Sequence, residues 1–171
     1  MAMSSDSARQ NFIAGLHNAH AVEQQALQVM NRQVERLENY PEVEQLLRRH
    51  IRETEQQRQR LEEAMSQLSE SPSAIKEAVM GFVGNMAALA HAAASDEVIK
   101  NMLANHALEN YEIAAYKSLL IMGEAAGFNN LSGFKQSLQE EETMARNVAD
   151  LVEPVTRKYI ELYTRDLQSK L

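Results

Sequence analysis

The sequence predicts an all-α fold: a four-helix bundle with a long helical crossover between its two hairpins and a C-terminal extension. Three observations lead there. The 171 residues include only 6 Gly, 3 Pro and 5% aromatic residues, against many Ala, Leu, Gln and Glu, which are strong helix formers. Apolar residues recur at alternating spacings of three and four over four long stretches, the signature of helices with one buried face. The breaks between stretches fall at turn-forming residues: Tyr40-Pro41, the Ser/Pro-rich residues 69–73, and Gly127 with Asn129-Asn130.

The elements follow in order. Residues 1–7 read as a flexible end finishing in a helix cap at Ser7. The first helix is expected over 7–39, where Tyr40-Pro41 forces a turn. Pro41 then suits the first position of a second helix, because the missing N–H is unsatisfied there in any case. That helix should run to about residue 68. A weaker helical stretch over 74–94, rich in Ala, Met and Gly and poor in charge, reads as a buried crossover. Ser95-Asp96 caps the next helix, expected to reach about residue 124. The last begins near Leu131 and meets Pro154, which removes one intrahelical hydrogen bond; a kink or a separate final helix to about residue 169 is expected. At this length the whole chain, 1–171, reads as one domain.

The four seams carry ionisable groups where an apolar residue is due. The first reads Ile13, Leu16, His20, Glu23, Leu27, Met30, Val34, Leu37. The second reads Leu47, His50, Thr54, Gln57, Leu61, Ala64, Leu68, with Glu53 flanking it. The third reads Ile99, Met102, His106, Glu109, Ile113, Tyr116, Leu120, and the last Phe134, Leu138, Glu141, Ala145, Val148, Val152. An unpaired buried carboxylate costs several kcal/mol, so several together call for protons, water or a cation.

Composition excludes other classes. A formal charge of −7, with Arg48, Arg49, Arg52, Arg58 and Arg60 interleaved with Glu, leaves no basic stripe for nucleic acid. Without Cys there is no disulfide framework, thiol nucleophile or cysteine zinc site. No apolar run is long enough to cross a bilayer and no basic-then-apolar signal is present, so no membrane partner and a cytoplasmic location are expected.

Two long helices, a connector and two more long helices make the ferritin-like arrangement. Register supports it. From a turn near residue 40, Glu23 lies about 17 residues before and Glu53 about 13 after, an offset of about 6 Å, roughly one helical turn. From a turn near 128, Glu112 lies about 16 before and Glu141 about 13 after, so the two hairpins repeat one geometry. Of five histidines, three stand in His-x-x-Glu pairs: His20-Glu23, His50-Glu53 and His106-Glu109. This spacing places both groups on one helix face. Carboxylates that bridge two cations, with an imidazole completing one of them, suit iron or manganese.

The residues also resemble a family. Ala-Val-Glu23-Gln-Gln-Ala-Leu, His50-Ile-Arg-Glu53-Thr with Arg60-Leu61, Ser71-Pro-Ser-Ala74, Gly84-Asn-Met-Ala-Ala-Leu89, Glu109-Asn-Tyr-Glu112-Ile-Ala-Ala-Tyr116 and Leu138-Gln-Glu-Glu141-Glu are similar to motifs of the YciF/YciE-like branch of ferritin-like (rubrerythrin-like) proteins. The resemblance covers residues 9–160. It implies a dinuclear metal site, a stress-associated context and a homodimer. Its motifs match Glu23, His50, Glu53, Glu109, Glu112 and the acidic run 140–142 to the ligand positions, and Glu141 is the member of that run on the apolar seam. The chain departs from the pattern in that the usual Glu-His-Tyr-Glu reads Glu109-Asn-Tyr-Glu112, an acidic residue often found before the first-helix Glu is Asn18, and a Tyr often near it is His20; better-known di-iron carboxylate proteins use Glu-x-x-His, whereas here His precedes Glu. His20 and His106 are read either as ligands or as hydrogen-bond partners of ligating carboxylates; His17 and His91 as structural or exposed; Tyr111 and Tyr116 as core residues.

Three functions fit these residues. One is an oxidoreductase of peroxidase, catalase or ferroxidase type with two Fe or Mn ions. Another is a non-catalytic metal-binding stress protein, and the third a metal-free helical dimer in a structural role. The absence of a Cys-x-x-Cys electron donor weighs against self-contained peroxidase turnover.

Overall fold

A computed structural model describes residues 5–70 and 97–169; the crossover expected over 74–94 lies outside them. The described residues form four long helices: α1 (Ser5–Val34), α2 (Pro41–Gln67), α3 (Glu97–Ala125) and α4 (Ser132–Ser169). Pro41 opens α2 as its position favours. Gly127, at φ +72°, closes α3, with Phe128 N–H bonding Gly123 O at 2.9 Å, the left-handed cap that glycine adopts without strain. Three boundaries differ from expectation. Ser7, expected as a cap, lies inside α1, which begins at Ser5. The first helix stops at Val34, and the residues up to Tyr40 turn through bonds such as Tyr40 N–H to Leu37 O at 2.7 Å. Pro154 does not divide the last helix, which runs through it as one element.

Side-chain bridges fix the packing. Arg9 reaches Leu68 O at 2.8 Å and Arg36 reaches Glu97 at 2.8 Å, so α1 runs antiparallel to both α2 and α3. Arg60 reaches Glu140 at 2.7 Å, and Lys158 reaches Glu42 at 3.4 Å, making α2 antiparallel to α4. Around the bundle the order is therefore α1, α2, α4, α3, with α2 and α3 parallel across the diagonal. The end of α2 and the start of α3 lie at opposite ends of the bundle, the relation that a single long crossover serves.

The core is in two pieces. One apolar cluster, around Phe12, Leu16, Leu61, Met65, Leu119 and Phe134, fills the end where α1 begins. The other, around Met30, Val34, Leu47, Met102, Met144 and Val148, fills the opposite end. Between them runs a layer of buried polar side chains from all four helices: His20, Glu23, His50, Thr54, Gln57, Glu109, Glu112, Ser137 and Glu141. Two apolar plugs thus keep bulk water from a polar middle, the setting in which charge is costly and electrostatics strong.

Along α3 the buried residues are Met102, Asn105, Leu108, Glu109, Glu112, Tyr116, Leu119 and Gly123. This corrects the expected seam, because His106 and Ile113 sit at their edge and Tyr111 is exposed rather than a core residue. The reason is that α3 buries the polar Asn105, Glu109 and Glu112 and exposes the apolar Leu103 and Ile121, so periodicity does not select its inward face. At Gly123 an added Cβ would lie 2.6 Å from a Leu131 methyl carbon and 3.1 Å from the Phe12 ring, so a larger residue there displaces both side chains.

Candidate metal centre

Each helix contributes to the polar layer because its seam is interrupted there. Glu23 comes from α1, His50 from α2, Glu109 and Glu112 from α3, and Glu141 from α4. All five are at most 2% exposed. His50 is the hub: its Nε2 lies 3.2 Å from Glu109 Oε2 and 3.5 Å from Glu141 Oε2. One ligand atom each from His50, Glu109 and Glu141 fall within 4.8 Å of one another, close enough to share a metal ion.

The remaining expected ligands divide. Glu23 accepts a hydrogen bond from Tyr116 Oη at 2.5 Å, leaving its other oxygen without a partner. Both oxygens of Glu112 and Oε1 of Glu141 are also unpartnered, and Glu141 Oε2 has only the 3.5 Å approach of His50. Glu53 sits differently. It lies across the imidazole ring from the cluster, about one-third exposed, with Oε2 3.1 Å from His50 Nδ1. Of the two residues that flank Glu141 in sequence, Glu140 is held by Arg60 and Gln57, and Glu142 pairs with Lys117 at 3.1 Å.

Three histidines stay out of the centre. His20 Nε2 bonds Glu62 at 2.8 Å. His106 Nδ1 faces Ala145 O at 3.3 Å, and His17 lies 3.9 Å from Glu70. Neither role expected for His20 and His106 is what these contacts show, since neither ring bonds a carboxylate of the cluster. His91 is outside the described residues.

The electrostatics record crowding. Burial, followed by the charges of Glu141 and Glu23, pushes Glu112 well above the usual carboxylate range. Glu23 is pushed the same way by burial and Glu141, against the pull of the Tyr116 hydrogen bond. Burial drives Glu109 up to about 8 although His50 opposes it. For His50, burial favours the neutral ring, but Glu109, Glu141 and Glu53 outweigh it and hold the imidazolium well above its ordinary value. Glu53 is lowered by its hydrogen bond with His50, with burial opposing and Arg49 and Arg52 helping. Without a cation, protons neutralise this cluster.

Sequence reasoning missed one buried polar contact. Gln33 and Asn105 exchange two amide hydrogen bonds, of 3.2 and 2.9 Å, between α1 and α3. Neither lies on an expected seam, and no local signal marks either. A reciprocal amide pair satisfies both groups and so fixes the register of the two helices.

The fold and the site define a class: an all-α four-helix bundle with a buried histidine–carboxylate centre able to bind a metal. The chain belongs to the family described as a domain of unknown function, DUF892, which it matches over residues 7–161. Its backbone is similar to the crystal structure of a protein from Xanthomonas campestris pv. campestris, with TM-score 0.77 and 25% identity over 92% of this chain and 99% of that one. It is similar to YcfI from Rhodopseudomonas palustris, described as "a putative structural protein", at TM-score 0.68 and 22% identity, over 86% and 94% of the two chains. The E. coli stress protein YciF is a further likeness, at TM-score 0.70 and 21% identity over 88% and 98%. Among the described residues no helix is long and apolar enough to cross a membrane.

Proposed function

We propose that this protein is a ferritin-like dinuclear metal-binding protein that holds two Fe or Mn ions for redox chemistry with dioxygen or peroxide. One observation carries the reading: four interior carboxylates converge in a sealed layer and leave oxygens of Glu23, Glu112 and Glu141 without partners. Fully ionised, Glu23, Glu109, Glu112 and Glu141 carry four negative charges. Two divalent cations supply four positive charges, and His50 is then neutral, as a ligand must be. The donor set of carboxylates with one imidazole suits iron and manganese and no cysteine-dependent metal. When bound, two such ions supply two electrons, enough with two protons to reduce one peroxide to two waters.

The chain's own residues prepare that site. Glu53 accepts from His50 Nδ1–H, which fixes the ring and presents Nε2 to the interior; such an outer partner sets both the tautomer and the basicity of a histidine ligand. The Tyr116 hydroxyl fixes one oxygen of Glu23 and leaves the other free. The apolar clusters on either side exclude water, so charges placed between them interact strongly. The stress-associated role of the YciF likeness fits a protein that handles peroxide or loose iron.

The test is a metal-to-protein ratio after anaerobic loading with Fe(II) or Mn(II). Two ions per chain are expected, with the second lost in Glu112→Gln. A folded, loaded sample that retains none overturns the proposal and leaves a metal-free helical protein. Consumption of peroxide by the loaded, reduced sample then separates redox turnover from simple binding.

A further inference from the structure

A centre sealed between two apolar clusters needs a way in. Among the described carboxylates of the centre, Glu53 alone reaches solvent: its side chain is 32% exposed, while those of Glu109 and Glu141 are 3% and 0%. On its inner side Glu53 holds His50. On its outer side it lines a cleft of about 200 Å³ between α2 and α4, together with Arg49, Gln139, Glu140, Thr143 and Asn147. That volume accommodates several water molecules at about 30 Å³ each, and so a partly hydrated ion.

Three other cavities lack such a link. The one between α1 and α3, about 190 Å³, is backed by the closed Gln33–Asn105 amide pair, and its carboxylate Glu97 is bound to Arg36 at 2.8 Å. Another along the same two helices, beside Gly15 and Leu119, is lined by no carboxylate. The cavity beside Arg60 and Phe134 abuts the apolar cluster.

Resting on the metal-binding reading above, we infer that a divalent cation enters the centre through the α2–α4 cleft, captured first by Glu53 and passed inward past His50. The two acids of the cleft divide the work. Glu140 is a fixed wall: Arg60 grips it with bonds of 2.7 and 3.0 Å, and Gln57 and Gln136 add 3.1 and 2.9 Å. On its outer side Glu53 meets exposed Arg49, whose Nε is 3.9 Å from Oε1, a pairing an arriving dication displaces. Two oxygens wait further in on the buried face of α2. Thr54 Oγ1 and Gln57 Oε1 belong to side chains at 1% and 0% exposure and have no hydrogen-bond partner. They stand one and two turns from His50 and can replace waters that the ion sheds.

The experiment follows uptake of Mn(II) or Co(II) by the metal-free full chain in stopped flow, read by loss of the ion from a chromogenic chelator. Arg49→Gln removes a positive charge from the cleft mouth and Thr143→Lys adds one; neither side chain belongs to the centre. Loading should quicken about three- to tenfold in the first and slow about as much in the second at low salt. Both effects should shrink in 0.5 M NaCl, with unchanged ion content at the end. Glu53→Gln should also load slowly, while Arg36→Gln, at the α1–α3 cavity, should load at the unsubstituted rate. Equal rates in Arg49→Gln, Thr143→Lys and the unsubstituted chain overturn the route, as does a normal rate in Glu53→Gln or a change confined to Arg36→Gln. Absence of uptake by the unsubstituted protein overturns the route together with the metal-binding reading, whereas altered rates with full ion content uphold both.

Discussion

Raising the pH should destabilise the metal-free protein, and a divalent ion should reverse the loss. Glu109 shows the size of the effect. Its carboxyl titrates near 4.5 when unperturbed and is pushed up to about 8 in the fold. A group whose pKa is raised on folding binds more protons in the native state, so its contribution is intact below the unfolded pKa and is lost as pH climbs to the folded one. At about 1.4 kcal/mol per pH unit, pH 7 removes roughly 3 kcal/mol through Glu109 alone. Burial acts on Glu23 and Glu112 in the same direction. The raised His50 also loses stability as pH rises through its folded pKa. Glu53, lowered in the fold, works the other way but only at acid pH, below its unfolded value.

For a chain of this size roughly 3 kcal/mol corresponds to about 6–12 °C in Tm. Thermal melts of chelator-treated protein, followed by far-ultraviolet circular dichroism at pH 5, 6, 7 and 8, should show a falling Tm. Adding Mn(II) should recover most of it at pH 8, because the ion binds only the folded chain and replaces the protons. A metal-free Tm that is flat or rises from pH 5 to 8 would mean that these carboxyls are not crowded together away from water.

Further outcomes follow from the same geometry. Glu112→Gln, which removes a charge but no hydrogen bond, should raise the metal-free Tm at pH 8 while keeping helix content, measured by the same melts. Tyr116→Phe should cost about 1–2 kcal/mol in urea denaturation of the metal-free protein, because Glu23 loses its donor. Asn105→Ala should cost about 1–3 kcal/mol by stranding the buried Gln33 amide, whereas the double change Gln33→Leu with Asn105→Leu should recover most of that, a comparison a double-mutant cycle reads directly. Gly123→Ala should destabilise through contact with Phe12 and Leu131, seen as a lower urea midpoint with unchanged slope.

Much of the site was legible before any tertiary contact was known. Glu23, His50, Glu109 and Glu141 interrupt apolar seams, and an ionisable group on a buried stripe stands out against the residues around it. Glu112 emerged from hairpin register rather than from its own seam. Other features needed the folded chain. The His-x-x-Glu spacing places two groups on one face of one helix, but it does not say what lies opposite. Hence His20 meets Glu62 on α2, His106 meets a carbonyl of α4, and Glu53 bonds the outer side of the imidazole whose inner side faces the cluster. Continuity of α4 through Pro154 was undecidable locally, since one lost hydrogen bond can be offset by packing.

By itself, then, the sequence determined that this chain is helical, where its helices are interrupted and which side chains carry ionisable groups into the interior, because 3,4 periodicity and turn residues act within one element. Only the tertiary structure decided how α3 is rotated, that Gln33 meets Asn105, which histidine turns its Nε2 toward the carboxylates and that Glu53 stands between the centre and solvent. Those are relations between helices, set by the packing of faces that no single helix's pattern contains.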